Sequence, residues 1–437
     1  MPEAPVKNKK YYLLSLGCPK NLADSEKLSS ALGGGGLART EAPEDAEVLI
    51  VNTCGFVEDA KRESINEILA LARLKSGSGK KKAKKLLVCG CLAGRYKEEL
   101  KKELPEVDGF WGVDAAGEIA AALGCPEPSG PVERPSTFPY AYLKIAEGCK
   151  RRCTFCAIPS IRGPLRNFQP EEIIQQAKAY LDAGIKELIL VSQDTASYDF
   201  KGYGLPQLVQ DMAALENKGD YFRIRLHYLY PSAVNRQLLE VIAQNGKIAP
   251  YIDMPLQHSE ERILRMMGRG GGAKEIRKKI ALVRRTIPGV FIRTSFIVGF
   301  PGETEEDFRR LLDFMEEQSF EHAGAFMYSR EEGTASAKMP GQLPQPIKQR
   351  RYDELMALQA GISLEKNRAL IGKEFNVIID NIIKGAATGR LPGQSPDVDG
   401  IITFDAPRGK RLKSGDFVNA RITEAFDYDL KGIITGD

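Results

Sequence analysis

The sequence predicts an α/β protein in three parts: an N-terminal parallel α/β sheet domain, a central open (β/α)6 partial TIM-type barrel, and a small C-terminal β-barrel. Three observations predict it. Short apolar runs alternate with helical patterns from residue 10 to about 135, the grammar of a parallel sheet. The alternation resumes at Tyr140 and gives six more βα units before about Arg330. From residue 373 the pattern switches to short β runs between turn-rich segments.

In the first part, strands are expected at residues 10–16, 47–52 and 85–88, and helices at 25–32, 60–74 and 96–103. Residues 33–36 are four glycines and read as a flexible turn, because no Gly-Lys-Ser/Thr follows to make a phosphate loop. In the middle, strands are expected at 141–145, 187–192, 222–228, 251–255, 290–298 and 324–328. Helices at 170–183, 205–215, 233–245, 260–267, 273–286 and 305–318 separate them. Pro170 followed by Glu171 and Glu172 is a good helix start, and Thr304 with Asp307 three residues on is a good N-cap. A Pro/Gln-rich break at 340–346 precedes one or two charged amphipathic helices at 349–371. Tail strands are expected at 374–379, 401–404, 417–422 and 431–434. The resulting domains are 1–135, 136–345, a helical linker 346–372, and 373–437.

Apolar residues make up 43% of the chain, ample for real cores. The 62 Lys and Arg against 58 Asp and Glu give a net charge of +4, too even to argue for nucleic acid. The basic run at 80–85 reads as a solvated loop. The polar start carries no secretory pattern and no run approaches a membrane span, so a cytoplasmic protein is expected. Thiols stay reduced there, and eight cysteines then suggest metal or catalysis rather than disulfides.

Cys149, Cys153 and Cys156 stand at CxxxCxxC spacing, just after a strand and Gly148. A structural zinc takes four protein ligands, and no fourth Cys or His lies nearby. Three thiolates on a four-iron cluster leave one iron open to bind a small molecule and pass it an electron. The alternatives are a zinc completed from afar or plain buried thiols. Cys18, Cys54 and Cys91 each follow one of the first three strands. Strands of a parallel sheet end on one edge, so the three can meet there and hold a second cluster. The alternative is ordinary core cysteines. Cys89 competes with Cys91, since strand alternation would put both on one face; Cys91 is preferred because it lies past the strand, after Gly90. Cys125 falls in a Pro/Gly-rich linker, 124–139, without an evident partner. Polar residues recur after the central strands, at Gln193-Asp194-Thr195, Gln257-His258, Gly299 to Glu303 and Tyr328-Ser329. Any one could be loop chemistry; their recurrence argues for a lined cavity at the barrel mouth. Phe155, inside the cysteine loop, and Gln193, at a strand end, are the candidate cofactor contacts.

The CxxxCxxC loop resembles the signature of the radical S-adenosylmethionine (SAM) enzymes. With Cys18, Cys54 and Cys91 ahead of it and a small barrel behind, nearly the whole chain resembles the methylthiotransferases of that group. The wording is closest to the branch that modifies an aspartate of ribosomal protein S-twelve. The matching stretches are residues 15–21, 60–64, 192–195, 254–258 and 298–304, and residues 396–400 resemble the family's TRAM barrel. The resemblance implies two [4Fe-4S] clusters and SAM. The cluster on Cys149, Cys153 and Cys156 would cleave SAM to a 5′-deoxyadenosyl radical that takes a hydrogen from an unactivated carbon. The cluster on Cys18, Cys54 and Cys91 would carry the methylated sulfur, facing the first across the substrate. The target carbon would be the aspartate β-carbon of S-twelve, and a flavodoxin or ferredoxin would supply electrons.

The sister activity, on a modified adenosine of tRNA, shares the clusters. An RNA-binding barrel should be strongly basic, yet residues 366–437 hold 11 Lys and Arg against 10 Asp and Glu. The expectation is a tail that docks a protein, with Asp397, Asp399, Asp427 and Asp429 facing a basic ribosomal target and no direct nucleic-acid substrate. An electron carrier needs no lined cavity, and a zinc-bearing RNA-binding protein would need a fourth ligand, so both are weaker readings.

Overall fold

The computed structural model describes residues 9–76, 85–125, 138–217, 220–383, 386–405 and 412–435. Most of the basic run at 80–85 and of the linker at 124–139 lies outside them. The chain forms two compact units. The first takes residues 1–137, 142–151 and 156–166; the second takes 138–141, 152–155 and 167–437.

The first unit is built on a five-stranded sheet whose pairings are all parallel. In chain order its strands are Lys10–Ser15, Ala38–Arg39, Val48–Thr53, Lys85–Gly90 and Gly109–Phe110. Their spatial order is second, first, third, fourth, fifth. Val48–Thr53 is buried at every position, as a strand covered on both faces must be. One face packs on Leu28, Ala31 and Leu32 of the helix Pro19–Gly34 and on Ile119 and Ala120 of the helix Ala116–Ala122. The other packs on Ile68, Leu71 and Leu100, from the helices Glu58–Ser76 and Lys97–Glu103. Strand order reverses between the first and third strands, and such a switch point opens a crevice at the carboxyl ends of the strands. Cys18 and Cys54 follow those two strands.

Two sequence expectations change here. The glycines at 33–36 are not simply a loop: Gly33 and Gly34 end the first helix, and Gly35 is its C-cap, set closely against Cys125. Cys125 is itself buried in the first core, so the thiol without an evident partner is a packing residue.

The second unit carries the six central strands where the apolar runs put them: Tyr140–Lys144, whose first two residues fall in this unit, then Glu187–Val191, Arg223–Leu226, Tyr251–Asp253, Phe291–Val298 and His322–Met327. They form two three-stranded sets, and an isolated parallel bridge pairs Ile224 of the first with Ile248, just ahead of the strand Tyr251–Asp253. The helix Glu305–Gln318 begins with a complete capping box between Thr304 and Asp307. A single 24-residue helix, Gln345–Arg368, leads to the tail. The tail is a closed five-stranded barrel. Its strands are Glu374–Ile383, Ala386–Arg390, Ile402–Asp405, Phe417–Ala425 and Leu430–Ile434, one more than the sequence pattern predicts.

That barrel is joined to the central strands by buried charge. Glu187 is fully buried and meets Arg225 at 2.8 Å and Arg390 of the barrel at 2.6 Å. Burial opposes ionisation of Glu187, but Arg390, Arg225 and Arg223 outweigh it and hold its carboxyl at about 2. Asp399 corrects the expected acidic rim. Its side chain is 0% exposed, paired with Arg293 at 2.6 Å and hydrogen-bonded by Tyr251 at 2.7 Å and the Ser395 backbone. Asp397 accepts from the Tyr140 hydroxyl. These aspartates lock the barrel to the second unit's own strands; Asp427 and Asp429 alone of the four stay exposed without such a role.

Candidate functional site

The three turns that carry Cys18, Cys54 and Cys91 are held by one side chain. Asn21 is 0% exposed and sits in the first turn of the helix that Cys18 opens. Its Nδ2 donates to Leu16 O and to Thr53 O, both at 2.9 Å. Its Oδ1 accepts from the Cys91 thiol at 3.6 Å, and its backbone O accepts from Asn52 Nδ2 at 2.8 Å. One amide thus reaches the approach to each cysteine. Thr53 adds a bond to Cys89 O at 2.6 Å, and Ser64 bonds both the N–H and the carbonyl of Cys54.

Glycine fixes the approach at two points. Gly17 has φ +91°, and a Cβ there would lie 2.7 Å from Cys54 Cβ. Gly90 has φ +95°, and a Cβ would meet Asn52 Oδ1 at 2.3 Å. The turn at Gly90 also separates the two competing cysteines. Cys89 ends buried in the sheet core with Tyr11 and Leu13. Cys91 opens the next helix and packs on Ala157 and Ile161, just past Cys156. They do not share a face, because the strand ends between them.

Arg162 approaches Cys91 from the helix Ile158–Arg162. Its Nη2 donates to Cys91 Sγ at 3.3 Å and to Asn21 Oδ1 at 2.6 Å. Its Nη1 meets Glu147 at 3.0 and 3.1 Å and Asp24 at 3.3 Å. Lys144 closes the network on Glu147 at 2.8 Å and on Asp24. Burial pushes the Cys91 thiol up to about 11, with Arg162 pulling against it. Burial also raises Cys54. For Cys18, burial is outweighed by the Lys20 and Arg162 charges and by backbone N–H groups, so its thiol lies below its ordinary value. Cys91 feels the charges of Cys18 and Cys54, and Cys54 that of Cys18, so the three thiols form one electrostatic group.

Cys149 and Cys156 belong to this first unit, where Cys149 N donates to Gly163 O at 3.1 Å. Cys153 belongs to the second. There Arg269 points Nη1 at Cys153 Sγ at 3.8 Å, donates to Pro255 O at 2.7 Å and covers the Tyr230 ring at 4.2 Å. Thr154 is anchored on Met266 O and Met267 O. Phe155 is half-buried in the same segment. Gln193 lies two residues past the strand Glu187–Val191, with Nε2 buried and without an acceptor among the described residues. His258 Nε2 is likewise buried without a partner among the described residues, whereas other strand-end polar groups are engaged within the protein. Asp194 accepts from Ser197 at 2.6 Å, and Glu303 pairs with Arg351 at 2.9 Å. Burial lifts the Glu303 carboxyl to about 7 and depresses the His258 imidazole to about 3.

The donor set suits an iron–sulfur cluster. Among the described residues no three Cys, His, Asp or Glu side chains are grouped to hold a single metal ion. A cubane is wider, since each thiolate binds its own iron. Two features fit such a group at the Cys18 site: the close approach of Gly17 to Cys54, which leaves no room for a Cβ, and Arg162 Nε, buried with no acceptor among the described residues. Sequence reading missed Asn21, Asp24, Lys144, Glu147, Arg162 and Arg269. Asn21 alone left a signal, within the Cys18-Pro19-Lys20-Asn21 stretch.

Comparison with known proteins narrows the reading. The radical SAM superfamily model matches residues 143–315, the uncharacterized family UPF0004 matches 10–112, and the TRAM domain matches 371–434. The ribosomal protein uS12 methylthiotransferase RimO of Thermodesulfovibrio yellowstonii is 47% identical, over 98% of this chain and 100% of that protein. The chain belongs to the RimO family. Its counterpart in Pelotomaculum thermopropionicum is 44% identical, over 96% of this chain and 98% of that one. Among solved structures, the radical SAM methyltransferase TsrM of Kitasatospora setae, with cobalamin and a [4Fe-4S] cluster bound, has a TM-score of 0.56 at 12% identity, over 87% of this chain and 80% of that one. That likeness is one of fold. As a RimO-family protein the chain is a radical SAM transferase, and an iron–sulfur cluster and SAM are its cofactors. Among the described residues no helix is long and apolar enough to cross a membrane.

Proposed function

We infer that this chain is a methylthiotransferase that adds a methylthio group to the aspartate β-carbon of ribosomal protein uS12, using two [4Fe-4S] clusters. The observation that carries the two-cluster reading is the gathering of Cys18, Cys54 and Cys91 around Asn21 at the switch point of the first sheet. Those three would hold the second cluster; Cys149, Cys153 and Cys156 would hold the one that meets SAM, with Phe155 and Gln193 contacting SAM. When bound, the clusters and SAM supply the electron, the hydrogen-abstracting radical and the methylated sulfur. The protein's own part is to hold the thiolates, keep their surroundings dry and orient them. Asn21 fixes the three turns, Arg162 faces Cys91, and Arg269 faces Cys153.

The uS12 substrate is supported by the names of the relatives and by the near-neutral tail, with 11 Lys and Arg against 10 Asp and Glu in residues 366–437. A phosphate-binding barrel would need a cationic surplus. The tRNA reading is not favoured. The division at 1–135, 136–345, 346–372 and 373–437, and a flavodoxin or ferredoxin as donor, belong to this proposal; the three family-model matches support the division. The test is anaerobic reconstitution. The native chain should bind two clusters. Cys149, Cys153 and Cys156 changed to Ala should keep one cluster and lose SAM cleavage. Cys18, Cys54 and Cys91 changed to Ala should keep SAM cleavage and lose methylthio transfer. A native chain holding a single cluster contradicts the reading.

A further inference from the structure

Arg162 is built to give hydrogen bonds. Its side chain is 1% exposed, so each N–H must find an acceptor inside the protein. One nitrogen is fixed by Glu147 and Asp24, and a second donates to Cys91 Sγ and Asn21 Oδ1. The third, Nε, is buried with no acceptor among the described residues. An orphaned guanidinium N–H beside three thiols marks a place for an acceptor the polypeptide does not supply.

The surrounding charges keep the group in place. Lys144 and Arg162 are paired with Asp24 and Glu147, and Asp114 adds a third carboxylate 3.6 Å from Lys144, so carboxylates anchor the guanidinium without counting any thiolate. The carboxylates hold one edge of a planar fork that cannot lose its proton. The other terminal nitrogen, Nη2, meets Cys91 Sγ and Asn21 Oδ1, and Nε sits next to it on the same guanidinium. Lysine could not do both, because it is a point charge on a flexible stem.

We propose that Arg162 is a positioning residue for the cluster on Cys18, Cys54 and Cys91, donating Nη2–H and Nε–H to its sulfurs and so raising its reduction potential. This rests on the reading that those three cysteines hold a cluster. Hydrogen bonds to sulfur and a nearby positive charge favour the reduced state, which carries one more negative charge. The same donors should steady the Cys91 turn, because Arg162 and Asn21 meet both that sulfur and each other.

The experiment uses the full chain with Cys149, Cys153 and Cys156 changed to Ala, so that any iron bound is the N-terminal cluster's. Three versions are reconstituted: Arg162 native, Arg162→Lys and Arg162→Gln. Iron content and the midpoint potential are read, the latter by dithionite titration followed by electron paramagnetic resonance. The expected result is a more negative potential in Arg162→Lys and a still more negative one in Arg162→Gln. If Arg162→Gln binds no iron, the shift is read on Arg162→Lys. A loaded cluster whose potential is the same in variant and native chains overturns the proposal. Loss of iron from both variants also overturns it, since Arg162 would then serve assembly and not potential. Absence of iron in the version with native Arg162 removes the cluster reading itself, a failure distinct from an unmoved potential.

Discussion

Replacing Asn21 by Ala removes the side chain that ties three cysteine turns together. Two neutral N–H bonds go, from Nδ2 to Leu16 O and Thr53 O at 2.9 Å each, with the weak S–H contact from Cys91 at 3.6 Å left out of the sum. One charge-assisted bond goes, from Arg162 to Oδ1 at 2.6 Å. Asn21 is 0% exposed, so water does not replace them. At about 1 kcal/mol for each neutral bond and about 2 for the charged one, the loss is roughly 4 kcal/mol. Trp111, the only tryptophan in the chain, packs against the first core and reports on this unit. Urea unfolding of the reduced apo-protein, followed by its fluorescence, should show that loss. Asn21→Asp should lose as much, because its carboxylate would face the Leu16 and Thr53 carbonyls with no proton to give. Iron content after reconstitution should fall with stability in both. A change under about 1 kcal/mol with full iron retained would refute the role given to Asn21.

Three further outcomes follow from the geometry. Cys89→Ala should keep both clusters while Cys91→Ala loses one, read as iron per chain; the reverse would move the third ligand to Cys89. Gln193→Ala should weaken SAM binding about tenfold, the loss of one buried hydrogen bond of about 1–2 kcal/mol, measured by calorimetry; an unchanged dissociation constant removes Gln193 from the SAM site. Glu187 has its carboxyl held near 2, below the ordinary 4.5, so its contribution is present above pH 4.5 and is lost as pH falls toward 2. That contribution is on the order of 3 kcal/mol. Glu187→Gln should therefore destabilise the second unit at neutral pH, with the difference from the native chain shrinking in acid; a difference independent of pH would contradict the assignment.

The buried aspartate of the tail changes how the barrel can be probed. Deleting residues 373–437 would remove Arg390 from Glu187 and Asp399 from Arg293, leaving buried charge in the body. Charge reversal at Asp399 would likewise break an internal pair and would not report on association with a partner. Exposed Asp427 is the position at which substrate charge can be tested, since the Asp429 carboxylate accepts from the Ile401 N–H at 2.9 Å.

Much of the fold was legible because parallel strands covered on both faces write themselves as apolar runs. Val48–Thr53 and Glu187–Val191 are buried at every position, and both were plain in the sequence. The capping box at Thr304 and Asp307 was visible for the same reason, being local. Elements without such a mark were missed. Ala38–Arg39 and Gly109–Phe110 are two residues each, and Ala386–Arg390 is a strand only because the closed barrel pairs it on both sides. The cysteines were legible through their place after strands. The groups around them were not, because Arg162 and Asn21 meet across 141 residues and no periodicity records that distance. Asp399 read as surface since Asp-Val-Asp looks solvated; its partners Arg293 and Tyr251 come together with it only in the folded unit.

The central claim is the identity of the target, and mass spectrometry of ribosomal protein uS12 tests it directly. uS12 from cells with and without this gene is compared, with tRNA nucleosides from the same cultures beside it. The account predicts that uS12 gains the mass of a methylthio group less one hydrogen, located on an aspartate, only where the gene is present, while tRNA nucleosides are unchanged. Unmodified uS12 in both strains, with a methylthio nucleoside that depends on the gene, would contradict it.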